Sequence, residues 1–150
     1  MKDSTLGLLN FKDQSQNKNK FDNEELEVIK DEINTFFSDI VIPAFEELSG
    51  KLKNLQREVE LAISSSDNTA SLIVNYKDQI EYEYTIKIRI NQGKAFPYPE
   101  IQYRESADGV LFGAESTLRE GDQDYNICHI KREEIVQHFL SDYVKQYHFV

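Results

Sequence analysis

Residues 80–91 read I-E-Y-E-Y-T-I-K-I-R-I-N. Ile80, Tyr82, Tyr84, Ile86, Ile88 and Ile90 alternate with Glu81, Glu83, Thr85, Lys87, Arg89 and Asn91. Successive side chains on a strand point to opposite faces, so this segment predicts a long strand with one apolar and one wet face. An antiparallel sheet covered on one side produces that pattern.

The neighbours extend the sheet. Val59, Leu61 and Ile63 alternate with Glu58, Glu60 and Ala62, and Leu72, Val74 and Tyr76 form a further alternating set. Turn-forming residues lie at 64–68 and 77–79, so the three strands read as a meander. Residues 93–99, with Pro97 and Pro99, break the pattern and read as a loop. Ile101 and Tyr103 suggest a fourth strand with Pro99 at its entry. Residues 106–124 read poorly. Val110 to Phe112 suggests a short strand, Glu120-Gly121-Asp122 a turn, and Tyr125, Ile127 and His129 or Ile130 another short strand.

Helices flank the sheet. From Asp22, spaced from Glu25 as in a capping box, apolar residues recur at Leu26, Ile29, Ile33, Phe37, Ile40, Ala44 and Leu48. Pro43 lies inside that stripe and predicts a kink near residues 39–42, or two abutting helices. A last helix starts near Arg132, with its stripe at Ile135, Val136, Phe139, Leu140, Tyr143, Val144 and Tyr147. The expected fold is therefore α+β and two-layered. It has an antiparallel meander of four to six strands, a long N-terminal helix and a C-terminal helix on one face. This order resembles that of RWD-like and ubiquitin-conjugating-like domains, a comparison the Tyr98-Pro99 pair also invites, and that of secretion-chaperone-like domains. Such a likeness is architectural and implies no function.

Residues 1–21 carry Lys2, Lys12, Lys18 and Lys20 against Asp3 and Asp13, with an apolar cluster at Leu6, Leu8, Leu9 and Phe11. They read as a flexible polar tail, dispensable for folding, before a domain at 22–150. The cluster is too short and interrupted for a signal-peptide core. No apolar run is long enough for a transmembrane helix. The single cysteine, Cys128, excludes an internal disulfide. Together these features predict a cytoplasmic protein.

The 150 residues carry a formal net charge of −10. That predicts no binding to nucleic acid or to an anionic membrane surface, both of which require positive charge. Residues 22–48 hold nine acids against one base, Lys30. Glu24, Glu27, Asp31, Glu32, Asp39, Glu46 and Glu47 form a candidate surface for a protein partner that is basic at the contact. The sequence leaves homo-oligomers open.

Catalytic signals are weak. Glu134 and His138 share a helix face, but a metal site needs a third ligand, so they read as a surface pair. Cys128 adjoins His129, but neighbours on a strand face opposite ways and no recognised nucleophile pattern flanks it, so it reads as a small buried strand residue. Glu120, Asp122 and Asp124 lack the calcium-loop spacing, and Glu81 with Glu83 read as a solvated pair on the wet face. No metal or cofactor is expected. The expected function is protein–protein binding, as an adaptor, a chaperone-like factor or an inhibitor of a basic partner, rather than catalysis. The alternative is a small enzyme or ligand-binding domain with a pocket in the 93–124 loops, built from Tyr98, Tyr103, Arg104, Arg119 and Asp124.

Overall fold

A computed structural model describes residues 26–104, 109–119 and 125–147. The 1–21 segment, Glu24 and Asp124 lie outside the described residues.

The first layer is helical. Helix α1 covers residues 26–36, a π-turn follows at Phe37–Val41, and α2 runs Ile42–Asn54. The π-turn is the form taken by the expected irregularity. Pro43 has no N–H to give to the preceding turn, and its ring crowds the carbonyl four residues back. One extra residue in the preceding turn relieves this, and Ile42 donates its amide to the Phe37 carbonyl. The insertion also turns two consecutive rings, Phe36 and Phe37, into the core. Ile29, Ile33, Val41, Ala44, Phe45, Leu48 and Leu52 complete the buried stripe, whereas Leu26 is exposed. The chain leaves α2 through a Schellman motif. Gln56 adopts φ 64°, its amide meets the Lys53 carbonyl, and the Arg57 amide meets the Leu52 carbonyl.

The second layer is a five-stranded antiparallel meander in the order β1 to β5. The strands are β1 Glu58–Ser64, β2 Thr69–Tyr76, β3 Gln79–Asn91, β4 Lys94–Arg104 and β5 Leu111–Glu115. Lys77-Asp78 (φ 54° and 66°) and Gln92-Gly93 (φ 51° and 73°) close two tight hairpins. Two consecutive positive φ values make the turns that match strand twist. Helix α3, Arg132–Tyr147, packs on the same face as α1 and α2.

The long alternating strand behaves as its pattern predicts over most of its length. Tyr82, Tyr84 and Ile86 are fully buried, and Ile88 packs at the margin. Ile90 is the exception, at 47% exposure. Thirteen residues of strand span roughly 43 Å, and this end runs out from under the helices.

Three expectations are corrected. Residues 93–99 are not a loop, because β4 begins at Lys94 and runs through both prolines. Pro97 and Pro99 pair with Ile88 and Ile86. The Pro99 carbonyl accepts from the Ser116 amide, so the donor-less nitrogen of Pro99 also points away from β3. There β5 has already ended, and no ladder bond is lost. Secondly, Ile127–His129 is a 3-10 turn, not a strand, capped by Asn126, whose Oδ1 accepts from the Cys128 amide at 2.8 Å. Cys128 is accordingly exposed rather than buried. Thirdly, Glu81 does not share the wet face with Glu83. The register shifts so that Val74 faces Tyr82 while Asn75 faces Ile80, which leaves Glu81 as the extra residue of a bulge. Its carboxylate reaches Arg57 and Tyr143, and its side chain is only 12% exposed.

Candidate functional site

Helix α1 and the π-turn build a groove against the turn after residue 125. Its volume is about 460 Å³, within the usual range for ligand sites. Ile127 and Ile130 form one side and are themselves buried, because the 3-10 turn folds both toward the core. Phe36 and Ile40 close the floor, and exposed Val28 extends it. Asp31 and Glu32 on α1 and Asp39 on the π-turn stand along one wall. The Cys128 thiol donates to Glu32 Oε2 at 3.7 Å. Burial first, and then that carboxylate, pushes the thiol pKa up, so the cysteine is a poor nucleophile. The chemistry on offer is apolar contact framed by carboxylates.

Three of the acidic residues singled out in the sequence therefore meet in one place. Glu27 is exposed on α1 outside the lining. Glu46 and Glu47 lie on α2, where Glu47 pairs with Arg132 at 3.7 Å. The apolar half of the groove was not foreseen. Its signal was Ile127 and Ile130, three apart, which suits a tight helical turn better than a strand.

The alternative pocket residues disperse. Tyr98 lines a slot of about 250 Å³ with Arg89, Phe96, Pro97, Glu115 and Tyr125. Tyr103 is five residues from Tyr98, hence on the opposite face of β4, and its ring tilts on Phe112 at 6.1 Å. Arg104 donates to the carbonyls of Ile80 and Gly109. Arg119 forks onto Glu134 at 2.7 and 2.9 Å, also reaches the His129 carbonyl, and lies over the Tyr125 ring at 5.2 Å. Two guanidinium–tyrosine contacts thus border the slot, the other being Arg89 over Tyr98 at 4.3 Å.

Glu134 and His138 are not a surface pair. Arg119 first, and then the Lys131 amide, holds the Glu134 carboxyl below its usual range against the opposing effect of burial. His138 turns inward. Its Nδ1 lies 2.9 Å from the Tyr84 hydroxyl, and its Nε2 lies 3.4 Å from Ser116 Oγ. Burial lowers its pKa, outweighing Asp142 and the Thr117 backbone, which favour the proton. With a folded pKa below the unfolded value of about 6.5, His138 is neutral in both states at higher pH. Below that, the unfolded chain takes up the proton first, so stability present above pH 6.5 is lost as pH falls through the folded pKa. Urea melts should show wild type losing stability more steeply than His138→Gln between about pH 7 and 5. Parallel profiles would mean that His138 is not desolvated as described. Among the described residues, no group of three His, Cys, Asp or Glu side chains could hold a metal ion.

Sequence comparison finds a similarity to part of a transporter. The chain is 29% identical over 122 residues to a glycine betaine transporter of Acinetobacter baylyi. The match covers 81% of this chain but 18% of the transporter. No family model and no solved structure matches. Among the described residues, no helix is long and apolar enough to cross a membrane.

Proposed function

We propose that this chain is a cytoplasmic binding module that takes a basic, apolar segment of another protein along the groove between α1 and the Ile127–His129 turn. The observation that carries the reading is the pairing of an apolar floor with Asp31, Glu32 and Asp39 on one wall. A groove of that kind suits an amphipathic segment, whose apolar side fills the floor while its cations meet the rim. The carboxylates would add on-rate and selectivity more than raw affinity. The likeness to part of a transporter supports a setting beside a membrane transport protein. A labelled lysine–leucine amphipathic peptide is a suitable probe. Asp31→Lys with Glu32→Lys and Asp39→Lys should weaken its binding by roughly tenfold or more, a loss of about 1.4 kcal/mol or more. Reversal of Glu58, Glu60 and Glu133, exposed elsewhere, changes the net charge equally and should matter little. Equal losses from the two triple variants would overturn the groove as the site.

A second reading rests on the Tyr98 slot. Both tyrosine rings at its border already hold a guanidinium, and aromatic faces also take quaternary ammonium groups. The slot would then bind a small zwitterion such as glycine betaine, with the trimethylammonium on the rings and the carboxylate on Arg89. Calorimetric titration with glycine betaine should give saturable heat that Tyr98→Ala removes. No heat from the wild type at large excess would end this reading.

A further inference from the structure

We propose that the outer edge of β1 is a homodimer contact, at which a second copy of this chain adds its own β1 antiparallel, with Leu61 facing Leu61 of the copy. The contact is separate from the groove above, since no residue of β1 lines that groove. Among the described residues, β1 ends the sheet and pairs with β2 alone. Its seven residue pairs with β2 run without a register shift, and it contains no proline, lysine or arginine. Sheet edges that must stay free are blunted by prolines, lysines, bulges or short length. The far edge of this sheet is blunted in that way. There β5 has five residues, one of them Gly113, and beyond it β4 presents Pro97 and Pro99. The β1 edge has no such protection beyond Glu58 and Glu60, which both lie on the sheet face away from the helices.

The apolar face of β1 is the second observation. Val59, Leu61 and Ile63 face Val74, Leu72 and Ala70 of β2, which are fully buried. Facing residues of an antiparallel pair share a sheet face, so the β1 row continues the core side. Cover runs out along it. Val59 still packs on the core, but Leu61 is 41% exposed and Ile63 53%. Self-complementarity is the third observation, and it selects a second copy as the occupant. Leu61 is the middle residue of β1. A two-fold axis through it, normal to the sheet, keeps both helical layers on one side. It sets Val59 against Ile63, Leu61 against itself, Glu58 against Ser64 and Glu60 against Ala62. Six apolar side chains then form one row across the joint, and every carboxylate meets a neutral residue. An axis at Glu60 would oppose two carboxylates, and one at Ala62 would leave Glu58 and Val59 unpaired. With the axis at Leu61, Glu60 and its copy stand on a diagonal about 7–8 Å apart. Asn75 Nδ2, at 3.0 Å, already draws the Glu60 carboxylate back toward β2.

Sedimentation equilibrium of the full chain is the test. The mass should rise with concentration from 17.5 kDa toward twice that value. Two copies at −10 repel each other. Raising salt from about 50 to about 500 mM should therefore tighten the dimer several-fold, as the repulsion is screened. Leu61→Lys sets two ammonium groups beside the axis and should weaken the dimer by roughly tenfold or more. Val144→Lys, at a comparably exposed position on α3, should leave it unchanged. Crosslinking reads the register. Cys128 is the only cysteine of the chain, so Cys128→Ser gives a background without thiols. In that background, Leu61→Cys should oxidise under copper–phenanthroline to a disulfide-linked dimer. Ile63→Cys should not, because Ile63 of the copy lies four residues away along the strand, about 13 Å. A mass of one chain at concentrations up to about 1 mM would leave the edge to some other occupant and overturn the proposal. A dimer that survives Leu61→Lys, or one that salt dissociates, would overturn it as well. So would equal crosslinking at positions 61 and 63, a result that decides the matter even if Leu61→Lys fails to fold.

Discussion

Phe139→Ala should destabilise the fold by about 3–5 kcal/mol, the range for truncating a fully buried aromatic side chain. Phe139 lies where α3 meets β3. Its ring stands edge-on to Tyr82 and to Tyr84, both at 5.2 Å, and tilts against Tyr143 at 5.6 Å. All four rings are buried. Truncation removes the transfer free energy of the ring and leaves a space that the surrounding rings, held by their hydroxyl partners, fill poorly. Tyr82 donates to Asp142 at 2.6 Å, so it cannot collapse inward without giving up that bond. A domain of this size has a total stability of about 5–15 kcal/mol, so the variant gives up a large share of it. Val144→Ala, on the exposed side of the same helix, should change stability by about 0.5 kcal/mol or less. Urea melts of the two variants decide the matter. A loss below about 1 kcal/mol at Phe139 would mean that α3 does not seat on β3 as described.

The contrast between those two residues was not legible in the sequence, which set both in the apolar stripe of the last helix, whereas Val144 is 48% exposed at the margin of that stripe. The stripe of α3 and the alternation of β3 each mark one apolar face. What the pattern does not carry is where cover ends. Ile90 continues the alternation of Ile86, yet only Ile86 lies beneath helices. Nor does composition reveal which strand edge is free. Two prolines read as a break because a central strand cannot spare the donors. They fit β4 because β5 pairs only with residues 100–104, beyond them. A bulge is equally silent, since an extra residue on one strand shows only against its partner.

The candidate site was half legible for a related reason. Charge density along α1 and the π-turn shows in the sequence, so Asp31, Glu32 and Asp39 could be named. The apolar wall facing them comes from Ile127 and Ile130, about a hundred residues later, and only the tertiary fold brings the two together. The pocket built from Tyr98 and Tyr103 failed on parity. Once residues 94–104 are one strand, side chains five apart must face opposite ways.

The bulge at Glu81 leads to the second large effect. Glu81→Gln, nearly isosteric, should destabilise by about 3 kcal/mol or more, as expected when one partner of a largely buried ion pair is neutralised. Arg57 reaches both carboxylate oxygens, with Nε at 3.3 Å from Oε1 and Nη2 at 3.2 Å from Oε2. Tyr143 donates to Oε1 at 2.5 Å, and burial, together with this carboxylate, pushes the phenol pKa up, so it stays a donor. The two charged side chains are 13% and 12% exposed, so water supplies little of what the carboxylate gives. Arg57 cannot swing away cheaply, because its guanidinium also lies 3.8 Å above the Tyr76 ring and donates to the Leu55 carbonyl. The cluster ties the end of α2, the bulge of β3 and α3 together, so its loss should also show as faster amide exchange at residues 55–57. Arg89 and Glu115 form the comparison, a pair at 3.3 Å with side chains 58% and 57% exposed. Glu115→Gln should cost about 1 kcal/mol or less, since solvent screens an exposed pair. Equal losses from Glu81→Gln and Glu115→Gln in urea melts would show that the bulge does not bury its carboxylate.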